Sequence, residues 1–237
     1  MPTMTVSDTE LARFDAMAAR WWDPRGPMRA LHRMNPARIG WIVERVERRF
    51  PSCSGLSLLD VGCGGGIAAE ALAARGFQVL GIDAAAATIG AARAHAEQRR
   101  LPLAYRVATA ETVLAEGTRF SVVTALEVIE HVPDPGAFLM ALGRLLEPGG
   151  MLFLSTLNRT ARSFLAAKIG AEYVLRWLPV GTHDWRQFIT PAELATNLRR
   201  AGLRLADLAG LSPDPLRAGW RVTADLSVNY LALAQAQ

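Results

Sequence analysis

The chain is nearly without lysine: Lys168 stands alone, so almost all of the 26 basic residues are arginines, set against 22 acidic ones for a formal net charge of +4. So small an excess spread over 237 residues lacks the clustered basic face that nucleic-acid binding normally requires, and no nucleic-acid partner is expected. Cysteine is scarce too. Cys53 and Cys63 stand ten apart, with no C-x-x-C and no histidine cluster at finger spacing, which reads as two reduced thiols rather than a disulfide scaffold or a structural zinc site. No stretch approaches the ~18 consecutive apolar residues of a membrane span. The N-terminus lacks a basic-then-apolar leader pattern. A P-loop is absent, since no G-x-x-x-x-G-K followed by Ser or Thr occurs. What is plentiful is apolar material, 51% of residues, which excludes a disordered chain and at this length favours one core. The expectation is a soluble cytoplasmic protein of one domain, residues 1–237.

The chain opens with Ser7-Asp8-Thr9-Glu10, a capping-box pattern, followed by Leu11, Phe14, Met17, Trp21 and Trp22 at helical spacing. Asn35-Pro36 reads as a cap followed by proline at the first helical position, opening a helix with the stripe Ile39, Ile42, Val43, Val46 and Phe50. From Leu56 the texture changes. Short apolar runs at Leu56–Val61, Val79–Ile82, Leu103–Val107, Ser121–Leu126 and Met151–Thr156 alternate with helical patterns near Ile67–Arg75, Ala85–Arg100 and Gly136–Leu146. Strand and helix in alternation predict an α/β fold, a mostly parallel sheet with helices on both faces. Right-handed crossovers then put all strand C-termini, and any ligand, along one edge. Leu203–Leu208 and Ser227–Ala234 read as two last strands joined by a long connection, for seven in all.

The strongest local signal is Asp60-Val61-Gly62-Cys63-Gly64-Gly65-Gly66, between the first strand and a helix. Glycines there let the chain turn tightly and let a ligand lie against the backbone. The dinucleotide fingerprint G-x-G-x-x-G needs glycine where Ile67 stands, so the spacing is a different one, acidic-x-G-x-G-x-G. Asp83 closes the second strand 17 residues past Gly66, where a carboxylate accepts from both hydroxyls of a ribose or else caps the next helix. Arg38, third in the helix opened by Asn35-Pro36, sets a cation against the helix dipole and calls for a compensating anion. Glu127, Glu130 and His131 follow the fourth strand at i, i+3, i+4. On a helical turn they would face one way. That set suits either a hard divalent ion such as Mg²⁺, which would lower a phenol pKa, or His131 as general base with the carboxylates fixing its tautomer.

The glycine motif and Asp83 resemble the class I S-adenosylmethionine-dependent methyltransferases. Further stretches resemble the ubiquinone biosynthesis O-methyltransferase family: Phe14-x-x-x-Ala18-x-x-Trp21-Trp22-Asp23-Pro24, Leu31-His32-Arg33-x-Asn35-Pro36-x-Arg38, Glu130-His131-Val132-Pro133-Asp134-Pro135, Ser155-Thr156-Leu157-Asn158-Arg159, Gly170-Ala171-Glu172-Tyr173, Gly181-Thr182-His183-Asp184 and Val228-Asn229-Tyr230. The likeness runs from about Phe14 to Tyr230. It departs at Ala30, where proline is expected, in the alanine run Ala84–Ala87, and around Pro213–Trp220.

The resemblance implies a Rossmann-like sheet of seven strands, the last antiparallel. It implies S-adenosylmethionine held by Arg38, Asp60, Gly62, Gly64, Gly66, Asp83, Ala110, Glu111 and Leu126, with Arg38 meeting the methionine carboxylate. It implies O-methylation of polyprenylated phenols or quinols at both steps of ubiquinone synthesis. Glu127, Glu130 and His131 are the catalytic or metal-holding candidates. Residues 1–52 are expected as helices over the site and 56–237 as the core, with an amphipathic insertion near 159–185. Ser163–Leu178 within it packs on the core or lies on a bilayer, which would place the enzyme peripherally on the inner membrane face, beside other ubiquinone-biosynthesis proteins. Methylation of another small phenol, or a cofactor-binding scaffold without catalysis, are the other functions this sequence admits.

Overall fold

The computed structural model of the chain describes residues 15–165, 185–214 and 219–236. The expected Ser7–Glu10 cap and most of the amphipathic segment 163–178 lie outside the described residues. The strands are β1 (Ser57–Val61), β2 (Gln78–Asp83), β3 (Leu103–Val107), β4 (Phe120–Leu126), β5 (Leu146–Leu157), β6 (Leu203–Asp214), β7 (Gly219–Thr223) and β8 (Asn229–Ala236). They form one sheet in the order β3-β2-β1-β4-β5-β8-β6-β7. The pairs from β3 through to β5 are parallel, and β8, β6 and β7 are joined antiparallel.

The described sheet thus has eight strands, one more than expected. The addition is β7, whose Trp220 and Val222 sit in a segment read as a connection. Its turn back from β6 explains one glycine: a Cβ on Gly210 would stand 1.8 Å from the Asp225 carbonyl oxygen.

Both sheet faces are buried, so the strands carry near-continuous apolar runs rather than alternation. Leu58, Val122, Met151, Phe153, Leu231 and Leu233 face one layer. It is formed by α1 (Arg29–Arg49), α2 (Ile67–Ala73) and α3 (Ala86–Arg99). Their chain neighbours Leu59, Val123, Leu152, Leu154, Ala232 and Ala234 face the other. That layer holds α4 (Ala110–Ala115), α5 (Pro135–Arg144) and α6 (Pro191–Arg200). Pro191 and the Thr190–Glu193 capping box open α6.

The helix expected to be capped by Asn35 and to begin at Pro36 begins seven residues earlier, at Arg29, and runs through Pro36. Asn35 is therefore no cap. Its amide nitrogen donates to the Ile67 carbonyl, and its oxygen accepts from Arg38. Arg38 sits mid-helix, away from the positive dipole end, and what answers its charge is carboxylate rather than helix position.

Candidate active site

The C-terminal ends of β1, β2 and β4 gather most of the expected residues. Gly62, Gly64 and Gly66 take φ of 67°, 53° and 92°, the left-handed region that favours glycine. Space as well as φ is decisive at Gly64, where a Cβ would lie 2.2 Å from Cζ2 of Trp21. The indole of Trp21 lies directly over Gly64 and Gly65, while Trp22 Nε1 donates to the Gly65 carbonyl at 2.8 Å. Trp22 in turn stacks on His95 with ring centroids 3.5 Å apart, and His95 Nδ1 is 2.8 Å from the buried carboxylate of Glu70. The loop is thus braced by an N-terminal strap. The sequence showed the two tryptophans at helical spacing but not this contact, which joins residues more than 40 positions apart.

Asp83 combines the two roles open to it. Its carboxylate accepts from Gly64 N and from Ala85 N, each at 2.9 Å. Each oxygen keeps lone-pair capacity for a further donor. Burial raises its pKa, against the pull of those backbone donors. Ala110, buried, opens α4 just past the end of β3, and Glu111 follows it half-buried. Leu126 ends β4 and is buried.

Beneath the loop lie Asp60, 2% exposed, and Arg38, also 2% exposed. Thr124 Oγ1 donates to Asp60 Oδ1 at 2.6 Å. Asp60 Oδ2 and Arg38 Nε have no hydrogen-bond partner among the described residues. Burial pushes the Asp60 pKa up to about 6, against the pull of Thr124 and Arg38. Burial also lowers that of Arg38, against support from Glu127 and Asp60. One unmatched acceptor and one unmatched donor, both desolvated, are costly unless something fills them. An α-amino acid head carries the complementary pair, an ammonium and a carboxylate.

Glu127 has a φ of 58°. That twist turns its N–H to the Ser155 carbonyl at 2.9 Å and its carboxylate toward three groups. Ser155 Oγ donates at 2.6 Å, Asn229 Nδ2 reaches the two oxygens at 3.1 and 3.2 Å, and Arg38 Nη1 stands 4.0 Å away. Next comes a single 3-10 turn, Ile129–His131. Glu130, 3% exposed, accepts from Thr156 Oγ1 at 2.8 Å, and its Oε1 has no partner among the described residues. Burial first and the neighbouring Glu127 second raise the Glu130 pKa to about 7, with His131 drawing it back. His131, half-buried, closes the turn.

The α-turn that would present Glu127, Glu130 and His131 on one face is not formed. Among the described residues no three His, Cys, Asp or Glu side chains group so as to hold a metal ion. The reason is local. A left-handed residue followed by a 3-10 turn replaces the α-turn, and Glu127 is drawn away to Arg38, Ser155 and Asn229. Ser155, Thr156 and Asn229 were visible as parts of resembling motifs, yet nothing in their spacing marked them as partners of the two carboxylates.

A site of this form, glycine loop after β1 and acidic residue after β2, defines a methyltransferase domain, and the family model described as a methyltransferase domain matches residues 25–208. The magnesium protoporphyrin IX methyltransferase of Synechocystis, solved with bound SAH, shares the fold at a TM-score of 0.67 and 18% identity, over 95% of this chain and 94% of that one. Fold alone does not assign chemistry. The cyclase SpnF superposes at a TM-score of 0.60 and 18% identity, over 83% of this chain and 80% of its own.

Sequence goes further. The ubiquinone biosynthesis O-methyltransferase of Azorhizobium caulinodans is 47% identical over 98% of this chain and 94% of its own length. The chain belongs to the ubiquinone biosynthesis O-methyltransferase family.

Proposed function

We propose that the chain moves the methyl group of S-adenosylmethionine onto a phenolic oxygen of a polyprenylated catechol or quinol in ubiquinone biosynthesis, at both O-methylation steps. The observation that carries this is the joining of two buried sets of unmatched groups. Asp60 Oδ2 and Arg38 Nε suit the amino-acid head of the methyl donor, Glu130 Oε1 suits an acceptor hydroxyl, and Glu127 lies between the two sets, against Arg38 and Glu130. When bound, S-adenosylmethionine supplies an electrophilic methyl on a sulfonium, which the acceptor oxygen takes in line as the C–S bond breaks and S-adenosylhomocysteine leaves.

The chain's own residues do the rest. Asp60 and Arg38 fix the head group, Asp83 takes the ribose hydroxyls while still holding Gly64 N and Ala85 N, Ala110 and Glu111 border the base, and the backbone of Leu126 meets the cofactor at the end of β4. Glu130 accepts the phenolic proton on Oε1 and His131 passes it to the solvent edge. A carboxyl with a pKa of about 7 is a better match for a phenol near 10 than an ordinary glutamate, by roughly 3 kcal/mol of proton-transfer free energy. The Glu127 carboxylate, which helps raise the Glu130 pKa, favours one further reading, a divalent ion such as Mg²⁺ that would sit by the two carboxylates and His131.

Around this centre we place residues 1–52 as its cover and 56–237 as the core, with 159–185 as an insertion. Among the described residues no helix is long and apolar enough to cross a membrane. The apolar acceptor is the reason to expect peripheral contact with the bilayer, with other ubiquinone-biosynthesis proteins nearby.

The deciding experiment is transfer from labelled S-adenosylmethionine to a short-chain demethylubiquinol, with and without EDTA. Transfer is expected. Loss with EDTA and return with Mg²⁺ assigns the carboxylate pair to an ion, and indifference to EDTA leaves Glu130 and His131 as the proton path. Tight cofactor binding without transfer to any catechol overturns the reading in favour of a scaffold.

A further inference from the structure

The glycine loop belongs to a closed circuit of contacts that runs through the strap and two helices. Trp22 Nε1 donates to the Gly65 carbonyl at 2.8 Å, and the Trp22 indole lies flat on the His95 imidazole, with centroids 3.5 Å and planes 5° apart. His95 Nδ1 stands 2.8 and 2.9 Å from the two oxygens of Glu70. Glu70 closes the circuit, since its own N–H donates to the Gly66 carbonyl at 2.9 Å. We infer that Glu70 and His95 are positioning residues for the methyl donor: they hold Trp22, and Trp22 holds the glycine loop in the form that binds S-adenosylmethionine. The inference rests on the donor named in the methyl-transfer reading above and adds residues that set its affinity through the loop.

A loop turned by Gly62, Gly64 and Gly66 has backbone freedom that no side chain at those positions restrains. Ordering such a loop around a ligand costs conformational entropy, and contacts that order it beforehand lower that cost. The peptide unit between Gly65 and Gly66 is held at both ends. Its carbonyl accepts from Trp22, and its N–H donates to the Cys63 carbonyl at 3.0 Å. The first bond is only as firm as the indole that makes it. Trp22 is half-buried, His32 meets it edge-on at 5.4 Å, and the flat face it lies against is His95 on α3. Glu70, 4% exposed on α2, then sets how that imidazole turns, and a carboxylate so buried is costly without such a partner. The strap is fastened to α3 a second time. Asp15 Oδ1 accepts from Ala87 N at 3.0 Å, about two turns before His95, at the end of the helix where the dipole favours an anion. α3 follows directly on Asp83, whose carboxylate holds Gly64 N and Ala85 N, so strap, loop and Asp83 all meet at one helix.

The test reads S-adenosylmethionine affinity by calorimetry on the whole chain, beside steady-state transfer to a short-chain demethylubiquinol and the thermal midpoint. Trp22→Phe keeps an aromatic ring on His95 and removes the bond to Gly65. His95→Ala removes the stack, and Glu70→Leu removes the bond that orients it. Each is expected to raise the donor Kd about 5-fold, the scale of one hydrogen bond, while kcat at saturating donor and the acceptor KM match the wild type. Glu70→Gln keeps an oxygen for His95 Nδ1 and should stay within about 2-fold of the wild type. In Trp22→Phe/His95→Ala the second change should add little, because both act through one contact. A lowered midpoint with wild-type donor Kd in the single variants overturns the inference and leaves a structural brace. Full additivity in the double variant also overturns it. Should Glu70→Leu fail to fold, His95→Ala still decides, on a side chain 21% exposed. A wild type that binds the donor and methylates no catechol removes the function reading and leaves this inference standing, whereas a wild type that binds no donor removes both.

Discussion

The cofactor half and the acceptor half of the site are built by different means. The cofactor half is shaped largely by backbone: seven consecutive residues, Asp60 to Gly66, supply a loop turned by three left-handed glycines, and Asp83 ties that loop from the next strand. The acceptor half is side chains drawn from the turn after β4 and from β5 and β8, with Glu127, Glu130, Ser155, Thr156 and Asn229 bonded across separations of 26 to 102 residues. Backbone sites are rigid because their geometry is local. A side-chain site owes its precision to a network in which each carboxylate is held by donors from another strand, and that network also sets its proton affinity. A substitution in one half should therefore leave the other working, which gives the comparison its tests.

The largest effect is expected from Glu130→Gln. The amide keeps the shape and still accepts from Thr156, but it cannot take a proton, so kcat should fall by about 10²–10⁴. S-adenosylmethionine binding measured by calorimetry should not change. A loss of binding with kcat intact would merge the two halves.

Next is Asp60→Asn, read through stability against pH in the ligand-free protein. Asp60 has a folded pKa of about 6 against an ordinary 3.8, and Glu130 about 7 against 4.5, both raised chiefly by burial. The fold therefore binds these protons more tightly than the unfolded chain does. Their stabilisation is complete below about pH 4 and is lost as pH rises through 6 and 7. Denaturant unfolding should show wild-type stability sloping down over that window. Asp60→Asn should lessen the total loss across that window by roughly 2–3 kcal/mol and leave the Glu130 part in place. An unaltered slope would mean that Asp60 is ionised in the fold at no cost.

Gly64→Ala tests the backbone half alone. A non-glycine residue at this left-handed φ, with its Cβ driven into Trp21, should cost about 2–3 kcal/mol and weaken donor binding roughly 30–100-fold. Transfer at saturating donor should persist. Loss of kcat with unaltered donor affinity would show that the loop serves the acceptor.

How much of this was legible follows the same division. The glycine loop, Asp83 and the parallel strands were readable because each is a local pattern, a turn requirement or a continuous apolar run set by two buried faces. The start of α1 was misplaced because Asn35-Pro36 has the chemistry of a cap. Tertiary contacts carry the helix through Pro36 instead, with Asn35 bonded to Ile67. β7 was missed because an edge strand of five residues carries little apolar signal and is supported by α1 from outside the sheet. The spacing of Glu127, Glu130 and His131 suggested one face. The left-handed Glu127 that breaks it is held by Ser155 and Asn229, which no spacing rule connects to it.

Asn229 gives the smallest effect and the sharpest test of the network. It is the second residue of a motif whose neighbour, Tyr230, packs fully buried with its hydroxyl donating to the Ile189 carbonyl, so the motif alone reads as core. Its amide nevertheless reaches both oxygens of Glu127 from the antiparallel strand beside β5. Asn229→Ala removes a donor to a charged group, worth about 1.5 kcal/mol, so kcat/KM should fall roughly 10-fold. Glu127 would then lean on Arg38 and Ser155 alone, and the loss should be partial because both remain. In the double variant Glu127→Gln/Asn229→Ala the second change should add little, since the two act through one contact. Full additivity would show that Asn229 serves the acceptor site by some route other than Glu127, and that the antiparallel strand is part of the site in its own right.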